Sequence, residues 1–228
     1  RVAAAAPSDG RTMTSPSSRL TSTRLDNGLE VHLLTCHDAP VVTTALTYRA
    51  GAIDEPTGRS GVAHFLEHMM FKGSRRFGPG EIDHRTRRLG GTNNAFTSHD
   101  TTTYYFSFGA DRWREALDLE ADRMRGLRLD PAELESERSV ILEEIAMYES
   151  EPWDALERAV QARRFGDHPY GRPILGRAEE VSATDAADLA RFHRAHYRPG
   201  NAVLVVAGAV DPTELEAVRT TIGAVPAE

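Results

Sequence analysis

Apolar residues alternate with polar ones at Leu29, Val31 and Leu33, directly after an Asn27-Gly28 dipeptide. That combination predicts a β-hairpin, with ordered structure beginning near Arg24. Val41–Ala50, rich in Val, Thr and Tyr, reads as another strand. Gly51–Gly61 reads as a loop punctuated by Pro56, Gly58 and Ser60, with Ser60 as the expected N-cap of the helix that follows. In that helix Val62, Phe65, Leu66, Met69 and Met70 form an apolar side, and Lys72-Gly73-Ser74 ends it. After a turn over Phe77–Gly80 comes a short helix, Glu81–Leu89, and a Gly90-Gly91 break. Thr92–His99 and Thr101–Phe108 then read as two strands, the second alternating Thr103, Tyr105 and Ser107 against Tyr104, Phe106 and Phe108, with Tyr104, Tyr105, Phe106 and Phe108 expected in the core.

Helices dominate the second half. Asp111 is the expected cap of one that runs to about Leu127, and Asp130-Pro131 opens another that reaches about Ser150. On the latter, Leu134, Ile141 and Ile145, with Val140 and Met147 beside them, mark the expected buried side. Trp153–Phe165, Asp185–Tyr197 and Asp211–Ile222 read as further helices, and Asn201–Ala209 as an apolar strand of the buried type. Paired strands followed by a run of helices predict an α+β fold. The expected form is a mostly antiparallel sheet, covered on one face by several helices. Residues 1–19, Ala-rich and then rich in Ser, Thr, Pro and Gly, read as a disordered tail or the remnant of a processed leader, and residues 20–228 as one domain.

Composition narrows the function classes. The balance of 40% hydrophobic and 27% charged residues is that of an ordinary globular chain able to bury a core. A net charge of −7 without a Lys/Arg run argues against nucleic acid as a partner. No apolar run is long enough to span a bilayer. Cys36 is the only cysteine, so no internal disulfide can form and the compartment stays open between cytoplasm and export.

The chemistry concentrates in His64-Phe65-Leu66-Glu67-His68. On a helix, residues four apart project from one face, so His64 and His68 can reach one metal ion. Glu67 lies angularly next to both, placed to polarise a metal-bound water. H-x-x-E-H is the inverzincin signature. Catalytic zinc usually takes three protein ligands, and the candidates for the third lie in the helix that starts at Pro131. Glu137 and Glu144 are two turns apart on one face, with Glu143 rotated about 100° from Glu144. One carboxylate can bind metal while another orients a ligand from behind.

With these residues in place the chain resembles the pitrilysin family of zinc metallopeptidases, among them insulin-degrading enzyme, the mitochondrial processing peptidase and bacterial two-subunit peptidases. The resemblance rests on an ordered set of motifs. His64-x-x-Glu67-His68-Met69-x-Phe71-Lys72-Gly73 is similar to the family's metal helix, and Glu144 falls 76 residues past His68, where the family has its distal ligand. Gly90-Gly91-x-x-Asn94-Ala95-x-Thr97-x-x-Asp100-x-Thr102-x-Tyr104 is similar to its glycine turn and substrate-pairing edge strand. His168-Pro169-Tyr170-Gly171-x-Pro173-Ile174-x-Gly176 and His196-Tyr197-x-Pro199-x-Asn201 are similar to later signatures.

The resemblance implies zinc as cofactor, with His64, His68 and Glu144 as ligands, Glu67 as general base and Glu137 as the residue that orients a ligand. It implies that Asn94, Ala95, Phe96 and Thr97 bind an extended peptide substrate by strand addition. The expected activity is hydrolysis of peptides or small unfolded polypeptides. Family enzymes pair two similar domains, so a second homologous domain or subunit is the expected partner. The Arg and Tyr that the family places in its second half have no counterpart here. A non-catalytic mate of an active subunit is the alternative, and a hydrolase of a non-peptide substrate a weaker one. His193, His196, His168, Tyr170 and Cys36 are expected to serve structure, with His99 and Asp100 evenly balanced between a turn and the cleft.

Overall fold

The computed structural model describes residues 19–227; the tail expected over residues 1–19 lies outside them except for Arg19. Six strands form one sheet: β1 (Arg19–Arg24), β2 (Glu30–Thr35), β3 (Val41–Tyr48), β4 (Thr92–Thr97), β5 (Thr102–Gly109) and β6 (Ala202–Gly208), in the order β1-β2-β6-β3-β5-β4. Every neighbouring pair is antiparallel except β2 and β6. Asn27 builds the β1–β2 turn: its carboxamide oxygen accepts from Leu29 N (3.2 Å) and its Nδ2 donates to the carbonyls of Ile222 and Val225 (3.0 Å each). The hairpin thus begins five residues before Arg24, because β1 pairs along its whole length with β2 although its own residues are mostly exposed.

Side chains alternate in and out along each strand. The buried row runs across the sheet through Val31, Leu204, Leu46 and Tyr104, each register partner of the next. The opposite face is only half-buried and carries hydroxyl pairs, Thr43 with Ser107 at 2.7 Å and Thr47 with Thr103 at 2.9 Å. β6 follows the same alternation; Val203 and Val205 are half-exposed, so it is not buried on both faces as its apolar run suggested.

The helices are α1 (Val62–Met69), α2 (Glu81–Arg88), α3 (Arg114–Gly126), α4 (Pro131–Ser150), α5 (Pro152–Phe165), α6 (Ala178–Ala183), α7 (Ala186–His196) and α8 (Leu215–Thr220). α4 starts as its sequence dictates: Asp130 accepts from Ala132 N and Glu133 N (2.8 and 3.3 Å), with Pro131 in the first turn. Its buried stripe is Leu134, Glu137, Ile141 and Ile145, while Val140 and Met147 are exposed. α5 buries none of its residues.

Two caps differ from expectation. The residue before α1 is Gly61 at φ 89°, which excludes serine's usual conformation at that point; Ser60 instead accepts from Arg177 N (3.1 Å). Ahead of α3, Gly109–Trp113 forms a turn, and Trp113, not Asp111, is the last residue before the helix. The apolar indole is driven into the core there, 2% exposed. The segment expected as one helix over Asp211–Ile222 is a 3-10 turn, the short α8 and a second 3-10 turn.

Candidate metal and peptide site

α1 lies between the sheet and α4, with its apolar residues fully buried beneath it. His64 and His68 project from its other side towards α4, with ring centroids 4.7 Å apart. There they meet Glu144. Its Oε2 lies 3.6 Å from His64 Nε2 and 3.7 Å from His68 Nε2. Donor atoms of the three residues all fall within 4.8 Å of one another, and among the described residues no other group of His, Cys, Asp and Glu does so. Tetrahedral donors about 2.0–2.2 Å from one zinc ion stand about 3.3–3.6 Å apart, and the two distances from Glu144 Oε2 lie close to that spacing. Glu143 is exposed on the neighbouring face of the helix, which leaves Glu144 as the carboxylate directed at the histidines.

The two histidines differ in their protonation tendencies. His68 Nδ1 is 3.0 Å from Glu137 Oε2. Nδ1–H donates there, which turns the Nε2 lone pair towards Glu144. Glu137 in turn receives Lys72 Nζ at 2.5 Å. Burial works to raise the Glu137 carboxyl, but His68 and Lys72 outweigh it and hold it below its usual range. Burial also works against a charged His68, yet the Glu137 hydrogen bond and the charges of Glu67, Glu137 and Glu144 raise its pKa. His64 goes the other way: burial, then the nearby His68, push it down to about 3, so it is the neutral imidazole that a metal requires. Its Nδ1 has no hydrogen-bond partner among the described residues.

Glu67 faces β4. Thr97 Oγ1 donates to Glu67 Oε2 at 2.5 Å. Burial raises the carboxyl's pKa, against the lowering effect of Thr97 and His68. β4 is an edge strand of the sheet, with no strand beyond it among the described residues. Ala95 and Thr97 turn towards α1, whereas Asn94 and Phe96 point outwards, Phe96 with 53% exposure. Asn94 Oδ1 accepts from Ala95 N (2.8 Å), so a main-chain donor of this edge is covered by an exposed side-chain oxygen. His99 and Asp100 form the turn after β4, where Asp100 accepts from the Tyr170 hydroxyl at 2.7 and 2.9 Å.

Sequence reasoning overlooked what lies beneath. Arg123 is fully buried, donates to Glu120 through Nε (2.7 Å) and Nη2 (2.5 Å), and stacks its guanidinium 4.2 Å from the Tyr104 ring. Tyr104 and Tyr197 join hydroxyls at 3.1 Å, and Tyr48 stacks on Tyr197 at 4.1 Å. The signal was present: Ala116, Glu120, Arg123 and Leu127 follow helical spacing, which puts two charges on an apolar stripe. Lys72, four residues after His68, was legible by the same rule.

A family profile described as Insulinase (Peptidase family M16) matches residues 31–178, a span that holds both α1 and α4. The chain belongs to the M16 family. A second M16 profile, described as the Peptidase M16 inactive domain, matches residues 184–228. The chain is 39% identical over 199 residues to an uncharacterized zinc protease of Mycobacterium tuberculosis, covering 86% of this chain and 45% of that protein. It is 33% identical over 203 residues to a probable mitochondrial-processing peptidase subunit beta of Arabidopsis thaliana, covering 89% and 38%. A protease from Helicobacter pylori superposes with a TM-score of 0.88 at 29% identity, over 92% of this chain and 51% of that one. Pitrilysin does so with 0.83 at 26% identity, over 93% and 23%. The chain thus spans less than half the length of either of these curated relatives. No helix among the described residues is long and apolar enough to cross a membrane.

Proposed function

We propose that residues 20–228 are the metal-binding half of a zinc endopeptidase that hydrolyses peptides or small unfolded polypeptides. The observation that carries this reading is the convergence of His64 Nε2, His68 Nε2 and Glu144 Oε2 beside a buried Glu67 and the edge strand β4. Bound to these three donors, zinc supplies a water with its pKa lowered to about 7 and polarises the scissile carbonyl. Glu67 is the general base, and it returns the proton to the leaving amine. Thr97 fixes one carboxylate oxygen and leaves the other for the water. Glu137 holds the His68 tautomer, and Lys72 balances the charge of Glu137. The substrate adds to β4 as an extended strand. Asn94 yields the Ala95 N–H to it, and Phe96 packs on a substrate side chain.

The function of the whole protein then needs a second homologous domain or subunit to close over the peptide. A non-catalytic mate is the second reading, drawn from the match of residues 184–228 to the inactive-domain profile; the intact donor set speaks for the active partner. In the full-length protein, Glu67→Gln is expected to keep about one zinc per chain and to lose hydrolysis by a factor of about 10²–10⁴. Peptide cleavage by that variant at the wild-type rate sinks the proposed mechanism. Glu144→Gln is expected to weaken zinc binding in a chelator competition by more than the roughly 10- to 100-fold typical of a residue that only orients a ligand, and unchanged affinity refutes its role as ligand.

A further inference from the structure

The first turn of α1 has no side-chain cap of its own, since Gly61 occupies the capping position. Helix starts leave N–H groups without partners, and buried ones must find acceptors. Here the acceptor is remote. Glu55 is 4% exposed, and its Oε1 accepts from both Gly61 N (3.0 Å) and Ala63 N (2.9 Å). Ser60 N donates to Glu180 Oε2 at 2.7 Å. The segment ending at Gly176 closes this seat. Arg172 Nη1 donates to the Glu55 carbonyl (3.0 Å), and a Cβ on Gly176 would stand 2.4 Å from the Ser60 carbonyl oxygen. The seat gives a purpose to the segment His168–Gly176, which the catalytic reading leaves without one.

We propose that Glu55 is the positioning residue of the metal site: its carboxyl group suspends the start of α1 and so sets the height at which His64 and His68 meet Glu144. This rests on the zinc reading above. Ala63, whose amide Glu55 holds, is the residue before His64. Metal donors must sit within about 0.2 Å of their required distance, and a shift of the Ala63 amide moves the His64 ring with it. The other Glu55 oxygen, Oε2, is buried without a partner among the described residues. The position therefore serves as an acceptor held at a set reach from the Glu55 backbone, and not as half of an ion pair.

The test is zinc affinity of the full-length protein by chelator competition, read beside urea stability. Glu55→Gln keeps the acceptor at full reach, and its affinity is expected to stay within about threefold of wild type. Glu55→Asp keeps the carboxyl chemistry but withdraws the acceptor by one methylene, and Glu55→Ala removes it; both are expected to weaken zinc binding about 10- to 100-fold. Val218→Ala, at the one buried position of α8, measures what destabilisation alone does to zinc binding. Wild-type affinity in Glu55→Asp or Glu55→Ala overturns the proposal, as does an equal loss in Val218→Ala or in Glu55→Gln. Should wild type itself bind no zinc, the metal reading fails, a separate outcome from the failure of Glu55 alone.

Discussion

Arg123 offers the sharpest test of how the floor of the site is held. Arg123→Met removes a guanidinium that is 0% exposed and leaves the Glu120 carboxylate, 1% exposed, with no cation beside it. Burial already raises the pKa of Glu120, and Arg123 is what opposes that rise. Breaking one side of a buried pair costs about 3–5 kcal/mol. Loss of the cation over the Tyr104 ring adds about 1–2 kcal/mol, and the methionine chain recovers part of the volume. The net expectation at pH 7 is a loss of about 4 kcal/mol, a large share of the roughly 5–15 kcal/mol available to a domain. The double variant Glu120→Leu/Arg123→Met buries no charge and is expected to lie within about 1–2 kcal/mol of wild type. Stranded Glu120 escapes by taking a proton. The single variant should therefore recover stability as the pH falls towards 5, whereas the double variant should not follow it. Urea unfolding of wild type, both single variants and the double variant at pH 5 and 7 closes the cycle. Equal losses in the Arg123→Met single and the double variant, or no pH dependence of their difference, would refute the reasoning.

Two further outcomes are expected. Burial pushes the Glu55 carboxyl from 4.5 up to about 8, so the folded state holds a proton that the unfolded chain releases. That contribution is fully present below pH 4.5 and is lost as the pH rises to about 8; between pH 6 and 8.5 metal-free wild type should lose about 2.5 kcal/mol more stability than Glu55→Gln. Parallel pH profiles by urea unfolding contradict this. Thr97→Val keeps the side-chain shape but removes the donor to Glu67; kcat of the full-length protein should fall about tenfold with zinc content unchanged, and an unaltered kcat would remove Thr97 from the catalytic account.

What the sequence made legible was local. Asn27-Gly28 and Asp130-Pro131 dictate their turn and cap through atoms a few residues away, and the structure repeats both. The His64/His68 face and the Glu137/Glu144 face follow from helical period alone, and α4 turns Glu143 outwards while Glu144 faces the histidines. What stayed hidden depends on distant partners. Ser60 looked like a cap because serines usually are, but its hydroxyl is taken up by Arg177, 117 residues away. Glu55, inside the Gly51–Gly61 loop, carried no local signal, and its carboxyl takes the place of that cap. Val140 and Met147 looked buried by hydrophobicity, although α4 turns them to the surface beside Glu144. Nor could any local pattern show that β6 lies between β2 and β3.

The placement of β6 has a consequence for how the chain is made. Until Ala202–Gly208 leave the ribosome, the β1–β2 hairpin and the three strands β3, β5 and β4 cannot join through β6, and each group presents an unpaired, apolar-faced edge. The strand that seals them is separated from β3 by more than 150 residues of chain, which makes the closing step slow and late. His64, His68 and Glu144 are thus synthesised long before the platform beneath them is whole. A nascent chain arrested between Glu144 and Ala202 would hold every donor of the cluster on an unfinished sheet, open to aggregation through the two edges that β6 alone can cap.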